Sequence, residues 1–354
     1  MNVLLYRRSV RLKSGAGELI RAQGAALRTH GHRVLVGGER GLLDFRLRTR
    51  LPVRRMTPER AAAFASDADW VVADHDLRVP NADVAFVHNL MSEANQHLRR
   101  EEAEAEAAHE AEYFRALAPR TRVVANSGLV ARALTARLGV DPARVDVLHP
   151  GYDAARFSSA RAAALRPRAR AALGFAEAAP AVGLVTSGDF EKRGLDVFLE
   201  AAAAIAEAVP ASRFLIAGGS RLPSSAAAHP LLASGRAVYR PKTRDPERWF
   251  AALDLFLYPA RFEEYGLVVA EALACGLPVL TSRRVGAAEC FPPVYERWLL
   301  DAPVGSELAA GAIALLRDAQ ARAALGRAGE SHIRQHDRTA YCEASVELLA
   351  RPKR

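Results

Sequence analysis

The chain has 354 residues and a formal charge of +9, and half of its residues are apolar while a quarter are charged. This length suits two domains, and the composition is ordinary for a globular protein. No apolar run approaches the roughly 18 residues that span a bilayer, and the N-terminus lacks the apolar centre and cleavage site of a signal peptide. We therefore expect a cytoplasmic protein.

Short apolar runs alternate with longer alanine-rich segments in the first half of the chain. This alternation predicts parallel strands joined by helices. The predicted strands are Val3–Tyr6, Arg33–Val36, Trp70–Ala73, Val84–Val87, Arg122–Ala125 and Val145–Leu148. The predicted helices are Glu18–Thr29, Glu93–Leu117 and Leu129–Leu138.

The composition changes at about residues 152–180, which predicts a linker running into a short helix. A second α/β series then follows, and helices close the chain from Glu307 onward. Its predicted elements are the strands Val182–Thr186, Arg213–Ala217, Ala237–Arg240, Leu255–Tyr258 and Val279–Thr281, and the helices Leu195–Val209 and Leu267–Cys275.

This pattern predicts an α/β protein with two doubly wound domains, 1–155 and 156–337, and a helix at about 338–354 that could pack back on the first. Ligands of such sheets bind at the carboxyl ends of the strands. With two sheets in one chain, the cleft between the domains is the expected site.

The basic charge is almost entirely arginine, and it is densest over Arg46–Arg60, RLRTRLPVRRMTPER. Excess positive charge favours anionic partners. The segment is compatible with a solvated loop or with a patch facing anionic lipid or a phosphorylated acceptor, which would place the protein peripherally at the inner face of the cytoplasmic membrane. It lacks the interleaved aromatic residues of a single-strand nucleic-acid platform, so no nucleic-acid partner is expected.

The segment 254–282, DLFLYPARFEEYGLVVAEALACGLPVLTS, carries the strongest chemical signal. It predicts a strand, a loop with Glu263, a helix opened by Gly266 and containing Glu271, and a second strand. The free N–H groups of a helix N-terminus bind anions, and a pyrophosphate is a natural occupant. The two carboxylates could accept hydrogen bonds from sugar and ribose hydroxyls, although a structural helix with incidental glutamates is equally compatible.

Three further segments are weaker candidates. After a predicted strand, TSGDFEKRGLD combines a tight turn at Gly188 with the adjacent cations Lys192 and Arg193, which could neutralise a leaving diphosphate or simply be solvated. Near the N-terminus, Ser14–Gly17 predicts a glycine-rich turn that a ligand could approach. His88 follows a strand and could bind a sugar hydroxyl or orient an acceptor, although a lone histidine is more often structural.

Several common sites are absent from the sequence. It contains no glycine-elbow serine, no His-Glu-x-x-His zinc motif and no complete dinucleotide fingerprint, and neither 186–196 nor 254–282 contains an Asp-x-Asp motif, although Asp67 with Asp69 and Asp74 with Asp76 have that spacing. A dehydrogenase and a metal-dependent transferase are therefore disfavoured, and no metal or cofactor is expected. The three cysteines, Cys275, Cys290 and Cys342, lack metal-ligand spacing and are expected to be buried thiols.

Taken together, these segments resemble the retaining GT-B glycosyltransferases of the glycosyl transferases group 1 family. The resemblance covers most of the chain and is strongest from 181 to 282, where Glu263 and Glu271 match the Glu-x7-Glu motif and SGDFEKRGLD matches the glycine-turn cation motif. The stretches VLHPGYDAARF, IAGG and LDLFLYPA also fit. GDFEKRG most resembles the lipopolysaccharide-core glucosyltransferase subgroup.

The resemblance implies a GT-B fold, an acceptor-side first domain, a nucleotide-sugar-binding second domain and a role for each candidate. Glu271 would hold the donor ribose, Glu263 the hydroxyls of the transferred sugar, and Lys192 with Arg193 the diphosphate. The other implied donor contacts are backbone N–H groups of Gly266, Leu267 and Val268, the turn at Gly15 and Gly17, and the backbone near Tyr239 and Arg240 beside the base.

Two departures from the family pattern bear on these roles. Glu264 replaces the glycine that often follows the first glutamate and adds a negative charge near the phosphates. Arg193 stands where the family usually has its lysine, with Lys192 just before it, which leaves open which cation is the main one.

The expected reaction is metal-independent transfer of a sugar, with glucose favoured, from a UDP-sugar to a bacterial surface glycan, glycolipid or lipopolysaccharide core. Anomeric configuration would be retained. The alternatives are a GDP-mannose-type mannosyltransferase, a nucleotide-sugar epimerase of the same fold, an inactive nucleotide-sugar-binding subunit and a basic nucleic-acid binder.

Overall fold

The computed structural model describes residues 1–10, 15–64, 68–74, 78–98 and 103–351. The chain forms two compact units, one made of Met1–Gly151 with Arg338–Arg354 and the other of Tyr152–Asp337. Among the described residues, none of the helices has both the length and the apolar character that crossing a bilayer requires.

The first unit contains a parallel sheet of seven strands. They are β1 Asn2–Tyr6, β2 Arg33–Gly38, β3 Val53–Arg55, β4 Trp70–Asp74, β5 Val84–Val87, β6 Arg122–Ala125 and β7 Val145–Val147. Their order is β3-β2-β1-β4-β5-β6-β7, so the direction of winding reverses between β1 and β4. Strands β4, β5 and β6 are buried along their whole length, which explains their continuous apolar runs.

Seven helices of the described residues accompany this sheet. They are α1 Gly15–Thr29, α2 Leu42–Thr49, α3 Pro58–Ala63, α4 Met91–Ala94, α5 Ala103–Ala116, α6 Gly128–Ala136 and, from the C-terminus, α15 Arg338–Ala350. Helix α15 packs against α1 and adds Tyr341, Val346 and Leu349 to the core of this unit.

The second unit has a parallel sheet of five strands. They are β8 Ala181–Val185, β9 Arg213–Ala217, β10 Ala237–Arg240, β11 Leu255–Tyr258 and β12 Val279–Thr281. Their order is β10-β9-β8-β11-β12, so the winding reverses between β8 and β11. The helices are α7 Ser159–Leu173, α8 Leu195–Ala208, α9 Ser224–Ala227, α10 Pro230–Ala233, α11 Glu247–Ala252, α12 Leu267–Ala274, α13 Gly305–Arg317 and α14 Ala319–Ile333.

The structure corrects four local predictions. Gly15 and Gly17 lie in the first turn of α1 rather than in a preceding turn, while Ser14 lies outside the described residues. The segment Arg46–Arg60 contains the end of α2, the edge strand β3 and the start of α3, so it is not one loop. The helix predicted over Glu93–Leu117 is not continuous, because α4 ends at Ala94. The segment predicted to run into a short helix contains the 15-residue helix α7.

The three cysteines are buried and are not joined in disulfides, as predicted.

Candidate functional site

The main candidate site lies where the winding of the second sheet reverses. Strands β8 and β11 are hydrogen-bonded neighbours there. The loop after β8 carries Lys192 and Arg193, and the loop after β11 carries Glu263. Both loops leave the carboxyl ends of adjacent strands, which is where doubly wound sheets bind their ligands.

A close backbone contact fixes the loop after β8 against the end of β11. Gly194 has φ of 66°, and a Cβ built there would lie 2.0 Å from the carbonyl oxygen of Pro259. The amide of Arg261 also donates to the carbonyl of Lys192 at 2.9 Å. In the turn itself, the amide of Gly188 donates to Oγ1 of Thr186 at 3.4 Å. The two cations therefore stand on a loop held by backbone contacts.

Each of the two predicted phosphate cations is paired with a glutamate. Nζ of Lys192 lies 2.6 Å from Oε2 of Glu264, and Nη1 of Arg193 lies 2.7 Å from Oε2 of Glu263. The hydroxyl of Tyr258, at the end of β11, donates to the same oxygen of Glu263 at 2.7 Å. The residues Lys192, Arg193, Tyr258, Glu263 and Glu264 thus form one cluster, which we call the ion-pair cluster.

The backbone holds Glu263 firmly in the ion-pair cluster. Its amide donates to the carbonyl of Arg284 at 2.9 Å, and its carbonyl accepts from the amide of Gly286 at 3.0 Å. These bonds form a parallel bridge between Glu263 and Val285, beyond the ladder of β11 and β12. The carboxylate is therefore placed by sheet-like pairing and not by a free loop.

Burial and neighbouring charges shift the pKa values of Glu263 and Arg193. Removal from water, with the nearby charge of Glu264, raises the pKa of Glu263 above the usual glutamate range, although Arg193 acts in the opposite direction. Burial also opposes the charge on Arg193, but Tyr258 and the neighbouring carboxylates outweigh it and raise the pKa of the guanidinium. Arg193 therefore carries a permanent positive charge.

The guanidinium of Arg193 has unused donors. Within the described part of the chain, Nε and Nη1 of Arg193 make no hydrogen bond of good geometry, although Nη1 is close to Glu263. Buried donors without an acceptor are uncommon in folded proteins and call for an explanation. An anionic ligand at this site would supply the acceptors.

Helix α12 begins beside the ion-pair cluster. Gly266 caps it with φ of 89°, and a Cβ there would lie 3.0 Å from Cγ of Glu263. The amides of Leu267 and Val268 belong to the first turn, which has no partners within a helix. Together with the helix dipole they make this end suitable for an anion. Glu271 is half-buried in the second turn.

The segments proposed to meet a base lie farther along the same sheet edge. The hydroxyl of Tyr239 in β10 donates to the carbonyl of Gly218 at 3.0 Å, and its ring packs edge-on against Phe190. The Arg240 guanidinium donates to the carbonyls of Tyr239 and Ala172. Tyr239 therefore contacts the loops after β8 and β9, whereas the side chain of Arg240 contacts Tyr239 and helix α7.

The first unit has its own cluster at the strands where its winding reverses. Oδ1 of Asp74 lies 2.9 Å from Nε2 of His88 and accepts a hydrogen bond from Nη1 of Arg7 at 3.1 Å. Asp74 ends β4, His88 follows β5 and Arg7 follows β1. The side-chain amide of Asn126 donates to the carbonyl of His88 at 2.9 Å. His88 is therefore a positioned residue.

Three residues of these clusters were missed in the sequence, Tyr258 in the second unit and Arg7 and Asp74 in the first, and the pairing of Glu264 with Lys192 was not predicted. Arg7, Asp74 and Tyr258 end or directly follow a strand. Polar residues at strand ends next to a reversal of winding were the signal that could have identified them.

Comparison with known proteins supports this placement. Residues 181–318 match the family model described as Glycosyl transferases group 1. We call residues 181–318 the group 1 segment, because the chain is similar to that family over this range. The group 1 segment contains β8 to β12 and the whole ion-pair cluster, and the match confirms the predicted resemblance over these residues.

Relatives and solved structures extend the comparison. The D-inositol 3-phosphate glycosyltransferase of Mycobacterium sp. (strain KMS) is 36% identical over 171 residues, which are 46% of this chain and 37% of the relative. The D-inositol 3-phosphate glycosyltransferase of Nocardia farcinica is 35% identical over 232 residues, which are 62% of this chain and 49% of the relative. This chain thus spans less than half the length of these curated relatives. WaaG, a glycosyltransferase involved in lipopolysaccharide biosynthesis, superposes with TM-score 0.77 at 20% identity, covering 99% of this chain and 100% of its own.

A second structure, Anabaena Alr3699/HepE in complex with UDP and glucose, superposes with TM-score 0.76 at 20% identity and covers 99% of each chain. Likeness at this identity establishes the fold, and the predicted GT-B fold of two Rossmann-like units is confirmed. The group 1 segment lies within the second of these units.

Proposed function

We propose that the protein is a retaining glycosyltransferase that moves a sugar, with glucose favoured, from a UDP-sugar to a sugar of a bacterial surface glycan or lipopolysaccharide core. The observation that carries the proposal is the pair Arg193–Glu263, buried beside the N-terminus of α12 at the strand reversal. It puts a permanent cation with unused donors next to a helix end that favours anions. The match of this segment to a glycosyltransferase family supports the same conclusion.

The leaving group of this reaction is a nucleoside diphosphate, whose negative charge grows as the glycosidic bond breaks. Arg193 and Lys192, with the amides of Leu267 and Val268, would stabilise that charge in a site shielded from water. The side-chain cations make a metal ion unnecessary in the proposed mechanism. Glu271 would accept the ribose hydroxyls, because charge-assisted hydrogen bonds to neutral hydroxyls are strong.

The transferred sugar would be held by Glu263, whose second oxygen is available while the first contacts Arg193 and Tyr258. His88 of the first unit would hydrogen-bond the sugar or orient the acceptor. The remaining proposed contacts with the donor come from Gly15, Gly17, Gly188 and the backbone near Tyr239 and Arg240.

The proposed donor is tested by a thermal-shift screen over UDP, GDP and their sugar conjugates. A ligand that binds only the folded state raises the unfolding temperature. We expect UDP-glucose to give the largest shift and Glu271→Ala to remove it. If only GDP-mannose produced a shift, GDP-mannose would be the donor and not UDP-glucose. If the protein converted UDP-glucose to an epimer in the absence of an acceptor, it would be an epimerase and not a transferase. If no nucleotide produced a shift, the proposal would fail.

The raised pKa of Glu263 predicts a distinctive pH dependence for donor binding. The ionised carboxylate is the better acceptor for sugar hydroxyls, and protonation removes that advantage. Because its pKa is raised, affinity for UDP-glucose should fall with decreasing pH at values above the usual glutamate range. Affinity for UDP, which lacks the transferred glucose, should not show the step caused by Glu263, and Glu263→Gln should abolish that step for UDP-glucose. An unchanged step in Glu263→Gln would assign it to another group.

We also propose that the protein works in the cytoplasm, at the inner face of the membrane, through the segment Arg46–Arg60. The two most exposed large apolar side chains of the described residues, Leu43 and Leu47, are 72% and 74% exposed and lie one turn apart on α2. Exposed arginines lie beside them at 46, 48, 50, 54 and 55. Apolar side chains surrounded by cations are the combination that binds anionic lipid surfaces.

Vesicle co-sedimentation tests this surface. We expect binding to phosphatidylcholine vesicles that contain phosphatidylglycerol and little binding to phosphatidylcholine alone. Replacing both leucines, Leu43→Ser with Leu47→Ser, should weaken binding by about tenfold or more, since each buried leucine contributes roughly 1.5–3 kcal/mol. The matched control replaces Val294 and Val304, which are exposed on the second unit, by serine. Equal loss in both double variants would refute the assignment.

A further inference from the structure

Glu264 makes an unusually enclosed ion pair with Lys192. Nζ of Lys192 lies 2.6 Å from Oε2 of Glu264, and the side chains are 8% and 1% exposed. The ring of Phe262 lies 5.8 Å from the ammonium group. Water screens such a pair poorly, so the charge of Glu264 strongly reduces the positive potential that Lys192 presents to any ligand.

The charges of the ion-pair cluster balance before a ligand arrives. Lys192 and Arg193 supply two positive charges, and Glu263 and Glu264 supply two negative charges when ionised. Asp189, whose carboxylate accepts from the amide of Lys192 at 3.2 Å, adds another negative charge beside the loop. A cluster that binds a polyanion as tightly as possible would have an excess of positive charge. This one does not.

The two glutamates differ in what they can reach. Glu263 is paired through its backbone beside Gly266, at the N-terminus of α12. Glu264 is almost fully enclosed and directs its carboxylate to Lys192. Glu264 therefore acts through Lys192 and is a positioning residue rather than a catalytic one.

We propose that Glu264 is a built-in counter-ion that weakens the hold of Lys192 on the nucleoside diphosphate product and so speeds product release. This inference rests on the proposed function. A nucleoside diphosphate carries more negative charge than a nucleotide sugar, so a weaker positive potential at Lys192 lowers the affinity for product more than the affinity for donor. Product release limits turnover in many enzymes, which makes such a bias useful.

Calorimetric titration of UDP and UDP-glucose into the wild type and Glu264→Gln tests this inference. Glutamine keeps the shape and removes the charge. We expect UDP to bind about tenfold more tightly to Glu264→Gln, with a smaller gain for UDP-glucose, a lower kcat and stronger inhibition by UDP. Unchanged or weaker UDP binding would overturn the proposal and would mean that Glu264 chiefly orients Lys192.

Two further variants separate charge from structure. In Glu264→Asp, which keeps the charge, UDP affinity should stay near the wild-type value. In the background of Lys192→Met, the gain from Glu264→Gln should disappear, because the effect acts through Lys192. A gain that persisted there would contradict the mechanism. If the wild type bound no nucleotide, the proposed function itself would fail, whereas wild-type binding without a gain in Glu264→Gln would defeat only this inference.

Discussion

Replacing Arg193 by methionine is expected to lower kcat/KM for the nucleotide sugar by about 10³-fold, because loss of a preorganised donor to developing negative charge has effects of about 10²–10³. The side chain of Arg193 is 14% exposed, and its Nε makes no hydrogen bond within the part of the chain that the structure describes. Donor consumption measured over a range of concentrations would show most of the loss in kcat, since the charge develops in the transition state.

Loss of the guanidinium also leaves Glu263 as a buried carboxylate without its cation, which can destabilise a protein by about 3–5 kcal/mol. The double variant Arg193→Met with Glu263→Gln removes both charges and should regain thermal stability without activity. Arg193→Lys should retain partial activity. Arg283→Met, which breaks exposed pairs with Glu296 and Asp301, is the control and should stay close to wild type. Wild-type activity in Arg193→Met would refute the role of Arg193.

Gly194→Ala is expected to lower the free energy of unfolding of the second unit by about 3 kcal/mol or more. Two effects add: a left-handed backbone that disfavours a side chain, and a Cβ that would lie 2.0 Å from the Pro259 carbonyl oxygen. Relief requires the loop after β8 to move away from β11, which would displace Lys192 and Arg193. Urea unfolding followed by the fluorescence of Trp249 and Trp298, both in this unit, measures the change.

Gly174→Ala is the matched control for this effect. Gly174 also has a positive φ, 71°, and lies in the same unit, but a Cβ there meets nothing within 4 Å. It should lower the free energy of unfolding by only about 1–2 kcal/mol. Equal losses in the two variants would show that the contact with Pro259 contributes nothing, and the loop would then not be held as described.

Most of the fold could be predicted from sequence because its strands are buried on both faces. Leu255–Tyr258 is buried throughout, so its apolar run matched a strand without ambiguity. The elements that were missed depend on tertiary pairing. Strand β3, Val53–Arg55, is three residues long with two exposed arginines, and its pairing with β2 is what makes it a strand.

Helix α7 shows a second limit of sequence reasoning. Few β-branched residues with several prolines and alanines suggested a linker running into a short helix, yet Arg170 is buried in α7 and donates to the carbonyls of Ala252 and Ala176 at 2.9 and 2.6 Å. Those acceptors belong to other parts of the second unit. No local pattern shows that a surface-type residue will find buried partners there.

Some features of the candidate site could be predicted from sequence and others could not. Adjacent strands and carboxyl-end loops follow from the order of elements, so the closeness of Lys192, Arg193 and Glu263 could be predicted. The sequence could not predict which cation pairs with which glutamate, because each pair joins residues 70 or more positions apart through side-chain packing. The pairing of Glu264 with Lys192 therefore emerged only from the structure.

Hydrogen exchange measured with and without UDP-glucose tests the location of the donor site most directly. We expect the donor to slow exchange in peptides covering 186–194 and 263–270, which contain the loops at the carboxyl ends of β8 and β11 and the start of α12. A cavity of about 270 Å³ lies at the opposite ends of β11 and β12, beside Arg166, Asp254 and Cys275. Protection there, with no change in the two loops, would contradict the assignment of the donor site to the ion-pair cluster.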